Sequence, residues 1–506
     1  MMRPSLRLLP VLGCALGAAI VGTSCSKFLE PQPTDVLTPD NFYKSGADAV
    51  SAVNAVYAQM PYTYLYFFYL GDISGDDIMA DAGFGSDGHQ LADYTFDKTL
   101  WTIDYVWSNE YITINRANIV LDRVPGIQMD PTLKARVLGE AKFLRALSYF
   151  TLVSMFGDVP LVTTEITNAK LGVVPRTPKA QIYGLIESDL QSASASLPAT
   201  EADAGRATSG AALALLGKVY LYLGDWNNAA KYEGQVISAG NYHLNAHYYD
   251  NFKVATQNTN PENVFSVDYG SPETVTGYIG QVALLFGLPN GFPGGDAYSL
   301  ELVLPSLVNS YSPTDTRGRG ATFITSPDTV VSAFDTTVIV KWNSPPGAAL
   351  HKPLDQSDHQ NMTARSWEQQ PNYQPIIRYS DVLLMYAEAV AQGGTATAGS
   401  AASALDQVRH RADTALTTST GSLSGAAFID TVRVERRKEF VYEGIRWFDL
   451  ARWGILDQAL RAKQAEILTI YPGEFGAVHG VPSSLYPIPQ TEINSDPLLT
   501  QNAGWH

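Results

Sequence analysis

Glu435, Glu439 and Glu443 recur every four residues, with Arg436, Arg437 and Lys438 between them. That interval puts three carboxylates on one side of a helix, a spacing that serves either acid–base chemistry or ion pairs between helices. The interleaved bases favour ion pairs. Asp72, Asp76, Asp77 and Asp81 form a second acidic group, set among Gly71, Gly75, Gly83 and Gly85. Three uses fit it: turns and caps, acceptors for sugar hydroxyls, or oxygen ligands for calcium, although the order does not follow an EF-hand loop. His351, Asp355, Asp358 and His359 read either as metal ligands or as a solvated polar loop. There is no Gly-x-Ser-x-Gly elbow and no His-Glu-x-x-His pair. A glycosidase needs two carboxylates across one bond, and nothing selects such a pair from the many acids. We expect no catalytic residue, no cofactor and no resident metal.

Binding chemistry has more to work with. The 506 residues include 27 Tyr, 19 Phe and 8 Trp. A sugar's C–H face packs on an aromatic ring while neighbouring polar groups take its hydroxyls. Trp447, Trp453, Trp505, Trp226 and Trp107 fall in helical or motif contexts and read as scaffold. Trp101, Trp342 and Trp367 fall in irregular segments and are the candidate stacking rings. Tyr278, Tyr298 and Phe292 are further candidates, with Asp76, Asp77 and Asn343 as hydroxyl partners. The competing reading is that each ring only pins its own loop. A net charge of −16 argues against nucleic acid and against an electrostatic grip on anionic lipid.

The elements that must position these residues read as mainly α. Arg3 and Arg7 precede an apolar run, Leu8 to Gly22, followed by Cys25. We expect residues 1–24 to be a lipoprotein signal, Cys25 to carry the lipid, and 25–39, rich in proline, to be an extended tether. The only other cysteine, Cys14, lies inside the signal, which excludes a disulfide scaffold. Residues 40–506 are expected to be one domain. A helix begins near Asp40, and residues 60–104 read as an aromatic, Gly/Asp-rich loop region. Trp107 opens a helical stretch that ends near Arg123. Further helices are expected from Pro131 to Phe156, Gln181 to Ser196, Ala211 to Leu223 and Trp226 to Ala239. The last two meet at Gly224-Asp225 in a turn like that of a tetratricopeptide repeat. Tyr379–Gln392 with Ser400–Arg411 forms a second pair, and a helix runs from Phe428 to about Ile467. Stacked pairs predict a right-handed array over about 40–265 and 371–506. Residues 266–370 lose helical periodicity and read as an irregular elaboration with short strands, the expected functional surface.

Four stretches resemble the SusD/RagB family of nutrient-binding outer-membrane lipoproteins. They are Glu140-Ala-Lys-Phe-Leu-Arg-Ala-Leu-Ser-Tyr-Phe with Phe156-Gly-Asp-Val-Pro-Leu; Arg378-Tyr-Ser-Asp-Val-Leu-Leu-Met-Tyr-Ala-Glu-Ala; Glu435 through Gly454; and Tyr486-Pro-Ile-Pro-Gln-Thr-Glu-Ile-Asn with Gln501-Asn-Ala-Gly-Trp505. The resemblance implies a fold of four tetratricopeptide-like helix pairs with an irregular ligand-binding part. It implies a lipid-anchored protein, exposed on the cell surface at the outer membrane, serving a TonB-dependent, SusC-like transporter. These motifs are scaffold and do not carry the ligand. The expected function is capture of a carbohydrate for that transporter. A surface glycoside hydrolase and a lid for a peptide or protein importer remain open alternatives.

Overall fold

The helices from α4 (Trp101–Arg123) through Ala239 organise the chain, because each packs on the next. The protein is described by a computed structural model over residues 42–80, 86–201, 205–268, 301–318, 323–325, 328–331, 337–340, 348–350, 373–470, 472 and 480–505. The signal, the tether and Cys25 lie outside the described residues. Residues 45–506 form one unit.

Helix α1 (Gly46–Tyr57) opens on a capping box, in which Ser45 and Asp48 bind each other's backbone N–H. α2 (Met60–Ile73) follows after two residues. It occupies part of the stretch expected to be a loop. Its side chains are apolar almost all round, so no stripe marks it in sequence, and it packs against α4. β1 (Ile78–Ala80) and α3 (Ser86–Asp93) complete this region.

α5 (Pro131–Phe156) starts where Asp130 caps Leu133 N–H and stops at Gly157, whose φ is +72°. Beyond the two-stranded β2 (Val159–Pro160) and β3 (Arg176–Thr177) come α6 (Lys179–Ser196), α7 (Ser209–Leu223) and α8 (Trp226–Ala239). Gly224 takes a left-handed conformation between α7 and α8, and Asp225 caps the second helix. Successive helices pack in order: α5 on α6, α6 on α7, α7 on α8. At the α7–α8 crossing Gly217 leaves room for Glu233; a Cβ there would lie 2.6 Å from the Glu233 carboxyl carbon.

The chain leaves the array at β4 (Asn263–Val267) and, 106 residues on, returns at β10 (Gln374–Arg378), antiparallel to β4 with Val267 opposite Gln374. Between them lie β5 (Glu301–Val303), the short α9 (Pro305–Val308), β6 (Phe323–Thr325), β7 (Asp328–Val331), β8 (Thr337–Val340) and β9 (Ala348–Leu350). β1, β5, β9 and β6 form one sheet in that order, so this segment is stitched to the N-terminal part. Leu304 and Leu307 are fully buried.

α10 (Tyr379–Ala391) then packs on α8, on α11 (Ala401–Ala412) and on α12 (Gly425–Glu439). The helix expected from Phe428 to Ile467 is three: α12, α13 (Arg446–Arg452) and α14 (Leu456–Ile470). The breaks fall where Tyr442, Gly444 and Gly454 take positive φ. Gly444 meets Gly71 of α2 backbone to backbone; a Cβ on Gly71 would lie 2.5 Å from the Gly444 carbonyl carbon. α15 (Gln490–Ser495) closes the chain against α4.

A lattice of buried ion pairs ties these parts together. Arg378, 1% exposed, donates to Glu443 (2.9 and 2.7 Å), Glu262 (2.6 Å), Glu439 (2.8 Å) and Ser380 (2.6 Å). Arg317 reaches Asp315, Glu435 and Glu439. Arg436 bridges Asp381 and Asp449, and Arg452 takes Glu388. Each carboxylate is met by guanidinium groups, which makes the cluster an internal clamp and leaves it no acid or base to offer a substrate.

Candidate functional site

The chain enters α4 through a built turn. Asp97 Oδ1 accepts from Thr99 N–H at 2.7 Å and from the Thr99 hydroxyl at 2.6 Å, and Leu100 N–H donates to the Asp97 carbonyl. Leu100 then stands in extended backbone at the helix N-cap. Trp101 is therefore the first residue of a 23-residue helix, six positions earlier than the expected onset at Trp107.

The buried face of α4 carries Ile103, Val106, Trp107, Glu110, Ile114 and Ala117. Trp107 packs edge-on against Phe156 of α5, ring centroids 5.0 Å apart. With that face fixed, the opposite stripe is turned outward. It carries Trp101, Asp104, Tyr105 and Ser108 at i, i+3, i+4 and i+7. Trp101 is 47% exposed, large for an indole.

α2 supplies the other half of the surface. Tyr66 stands edge-on to both Trp101 (4.8 Å, 76°) and Tyr105 (4.7 Å, 69°). Trp101 and Tyr105 are themselves perpendicular at 6.1 Å. Tyr62, one turn before Tyr66, is 51% exposed and close enough to Tyr105 to affect its titration; burial first, and Tyr62 second, raise the Tyr105 phenol. Tyr66, Trp101 and Tyr105 thus form a supported aromatic surface. The T-shaped contacts lock the rings by their edges, and Trp101 keeps close to half its surface in solvent.

α15 borders this surface. Thr491 hydrogen-bonds Asp104 through its hydroxyl, Ser108 donates to Glu492 at 3.5 Å, and Gln490 N–H donates to the Lys98 carbonyl at 2.9 Å. The C-terminal motif, read as pure scaffold, thus frames the site.

Of the residues singled out from sequence, Trp101 is described and exposed. Trp342, Trp367, Tyr278, Tyr298, Phe292 and Asn343 lie outside the described residues, as do His351, Asp355, Asp358, His359 and Asp81. Asp76 and Asp77 differ from the hydroxyl partners expected. Asp76 is clasped by Arg446 through both oxygens (2.6 and 2.8 Å), and Asp77 is 2% exposed and paired with Arg437. Burial opposes the Asp76 charge, but Arg446 more than offsets it and lowers its pKa; at Asp77 burial wins and raises it. Asp72 accepts from Gly444 N–H at 2.7 Å. The acidic loop therefore serves the junction between α2 and α13. Tyr62, Tyr66, Tyr105, Asp104 and Glu492 were missed. The signal was present: Tyr62, Tyr66 and Tyr69 recur at helical spacing behind Pro61, a residue suited to a first turn.

Among the described residues no group of three or more His, Cys, Asp or Glu is arranged to hold a metal ion, and no helix is long and apolar enough to cross a membrane. A cavity of about 40 Å³, room for two or three waters, lies inside the fold between Phe67, Phe150, Leu215, Lys218, Glu443 and Phe448.

Comparison with known proteins adds the following. Residues 327–505 match the SusD family, and residues 28–221 match a family described as starch-binding and associating with the outer membrane. A SusD-like protein of Formosa agariphila is 25% identical over 499 residues, covering 93% of this chain and 92% of its own. The starch-binding protein SusD of Bacteroides thetaiotaomicron is 24% identical over 82% of this chain and 81% of its own. A solved laminarin-binding SusD-like protein is 26% identical with a TM-score of 0.74, over 92% of this chain and all of that one. A SusD homologue from Bacteroides thetaiotaomicron superposes with a TM-score of 0.76 at 23% identity, over 92% of this chain and 98% of that one, a likeness of fold.

Proposed function

Because this chain belongs to the SusD/RagB family, we propose that it binds a glycan at the cell surface and delivers it to a TonB-dependent, SusC-like transporter in the outer membrane. The observation that carries the binding half is the exposed Trp101, held edge-on by Tyr66 and Tyr105 at the head of a rigid helix. A flat ring, fixed before binding, offers stacking area without paying the entropy of ordering a mobile side chain. The relatives add support, since their names record starch for one and laminarin for another. Handover to a transporter, the lipid at Cys25 and the absence of catalysis are parts of the same proposal. The buried acids already described are partnered by arginines, which fits binding better than hydrolysis.

The test is a glycan array with the purified protein, followed by calorimetry of the parent and Trp101→Ala with the glycan retained. Loss of one stacking ring is expected to weaken binding about tenfold, on the order of 1–2 kcal/mol. Circular dichroism checks that the variant folds. Release of shortened sugars during incubation overturns the non-catalytic reading. A folded Trp101→Ala that binds like the parent removes this surface as the site. Preference for peptides over every glycan favours the importer-lid alternative.

A further inference from the structure

Trp101 and Tyr105 share their helix stripe with a carboxylate, Asp104, which is half-buried. α15 brings a second beside it. Asp104 is hydrogen-bonded by Thr491, and Glu492 by Ser108 at 3.5 Å one turn further along the same stripe, so both acids are held on the face that carries the rings. Partial burial first, and then the charge of Asp104, raise the Glu492 carboxyl above its ordinary range. Lys98 lies beside Asp97 on the turn before Trp101 and favours the charge there. The chain as a whole carries −16.

These groups set the kind of sugar the surface takes. A carboxylate accepts strongly from hydroxyl donors, and a neutral pyranose offers several at its ring edge. A uronate or sulfate on the same unit brings a like charge against two fixed acids at a partly desolvated boundary, where repulsion is stronger than in free water. We infer that the Trp101 surface is selective for neutral glycans, with Asp104 and Glu492 as the specificity-determining pair that accepts from sugar hydroxyls and turns polyanions away. This rests on the reading of the surface as a glycan site.

The experiment uses the full chain in mild detergent and matched probes: neutral hexaoses, and hexaoses of the same linkage whose C6 carbons are carboxylates. Each is titrated by calorimetry at about 20 mM and about 300 mM salt. Surface repulsion extends over about 20 Å in the first buffer and about 6 Å in the second. The parent is expected to prefer the neutral probe by about tenfold or more at low salt, with the gap narrowing at high salt. Asp104→Asn combined with Glu492→Gln keeps both acceptors and removes both charges. It is expected to tighten uronate binding several-fold at low salt while moving the neutral probe far less. Equal or tighter binding of the uronate by the parent overturns the inference, as does a double variant with an unchanged ratio. Those results leave the aromatic site standing if Trp101→Ala still loses the neutral probe. Intact neutral binding in folded Trp101→Ala strikes the site itself, and binding of neither class strikes both.

Discussion

Glu110 sits on the buried face of α4, about two and a half turns from Trp101, and is 1% exposed. One of its oxygens has no hydrogen-bond partner. Burial pushes its carboxyl up to about 8, and the hydroxyls of Ser148 and Thr151 on α5 only partly oppose this. In the unfolded chain the same group titrates near 4.5. Between those values the folded protein holds a proton that the unfolded chain releases, so stability falls as pH rises from about 4.5 to about 8 and is then independent of this group. The gap is about 3.5 pH units, and at about 1.4 kcal/mol per unit the loss approaches 5 kcal/mol. Glu110→Gln keeps the shape and cannot ionise. Its amide N–H₂ needs an acceptor, and the Thr151 hydroxyl, which donates to the Leu147 carbonyl, keeps a lone pair for it. An unmet N–H would cost about 1–3 kcal/mol. The variant is therefore expected to match the parent within about 1–2 kcal/mol at pH 5 and to exceed it by about 2–4 kcal/mol at pH 8.5. Urea unfolding of both proteins, followed by tryptophan fluorescence across that range, isolates the difference from other buried acids. Parallel curves from pH 5 to 8.5 would refute the reasoning, because they would mean that Glu110 titrates alike in both states.

Arg378→Met leaves Glu262, Glu439 and Glu443 without their shared guanidinium, and breaking one buried pair already costs about 3–5 kcal/mol; loss of soluble folded protein is expected, and Arg378→Lys, which lacks the planar fork, should recover only part of it in a thermal melt. Gly217→Ala drives a methyl into the Glu233 carboxyl at the α7–α8 crossing and is expected to cost about 1–3 kcal/mol by urea unfolding; no change in midpoint would mean that the two helices separate at little cost. On the proposed lipidation, Cys25→Ala is expected to move the protein from washed membranes to the soluble fraction, since two acyl chains at about 0.8 kcal/mol per buried methylene would supply the anchor; retention in membranes lacking the transporter would contradict lipidation.

Much of the scaffold was legible because its ends are marked. Asp130-Pro131 and Gly157 bound α5, and Asp225 and Gly240 bound α8, at the residues expected. The acid–base repeat at Glu435 to Glu443 was readable as ion pairing because opposite charges alternate on one short stretch. α2 was missed for the opposite reason: apolar almost all round, it has no polar face, and its tyrosines read as loop. With α2 absent, Tyr62 and Tyr66 had no element to hold them, and with α4 expected to start at Trp107, Trp101 looked like a loop residue. Asp76 and Asp77 looked available because their partners, Arg446 and Arg437, lie some 360 residues away in sequence. Local pattern does not reach pairings of that separation.

The antiparallel ladder between β4 and β10 has an evolutionary consequence. A chain that departs and re-enters one strand spacing apart, about 4.8 Å, closes a loop at that point whatever its length. Doubling such a loop adds only about 0.6 kcal/mol of closure entropy. Residues 301–318 are exempt from that freedom, since Leu304, Leu307 and Arg317 are built into the interior. β6 and β9 are held as well, since they share a sheet with β1. Insertions and deletions should therefore accumulate between β4 and β10 outside these paired and buried stretches, while the arginine lattice stays fixed. Mutation can then change the excursion between the two strands in length and sequence without renegotiating how the helices fold.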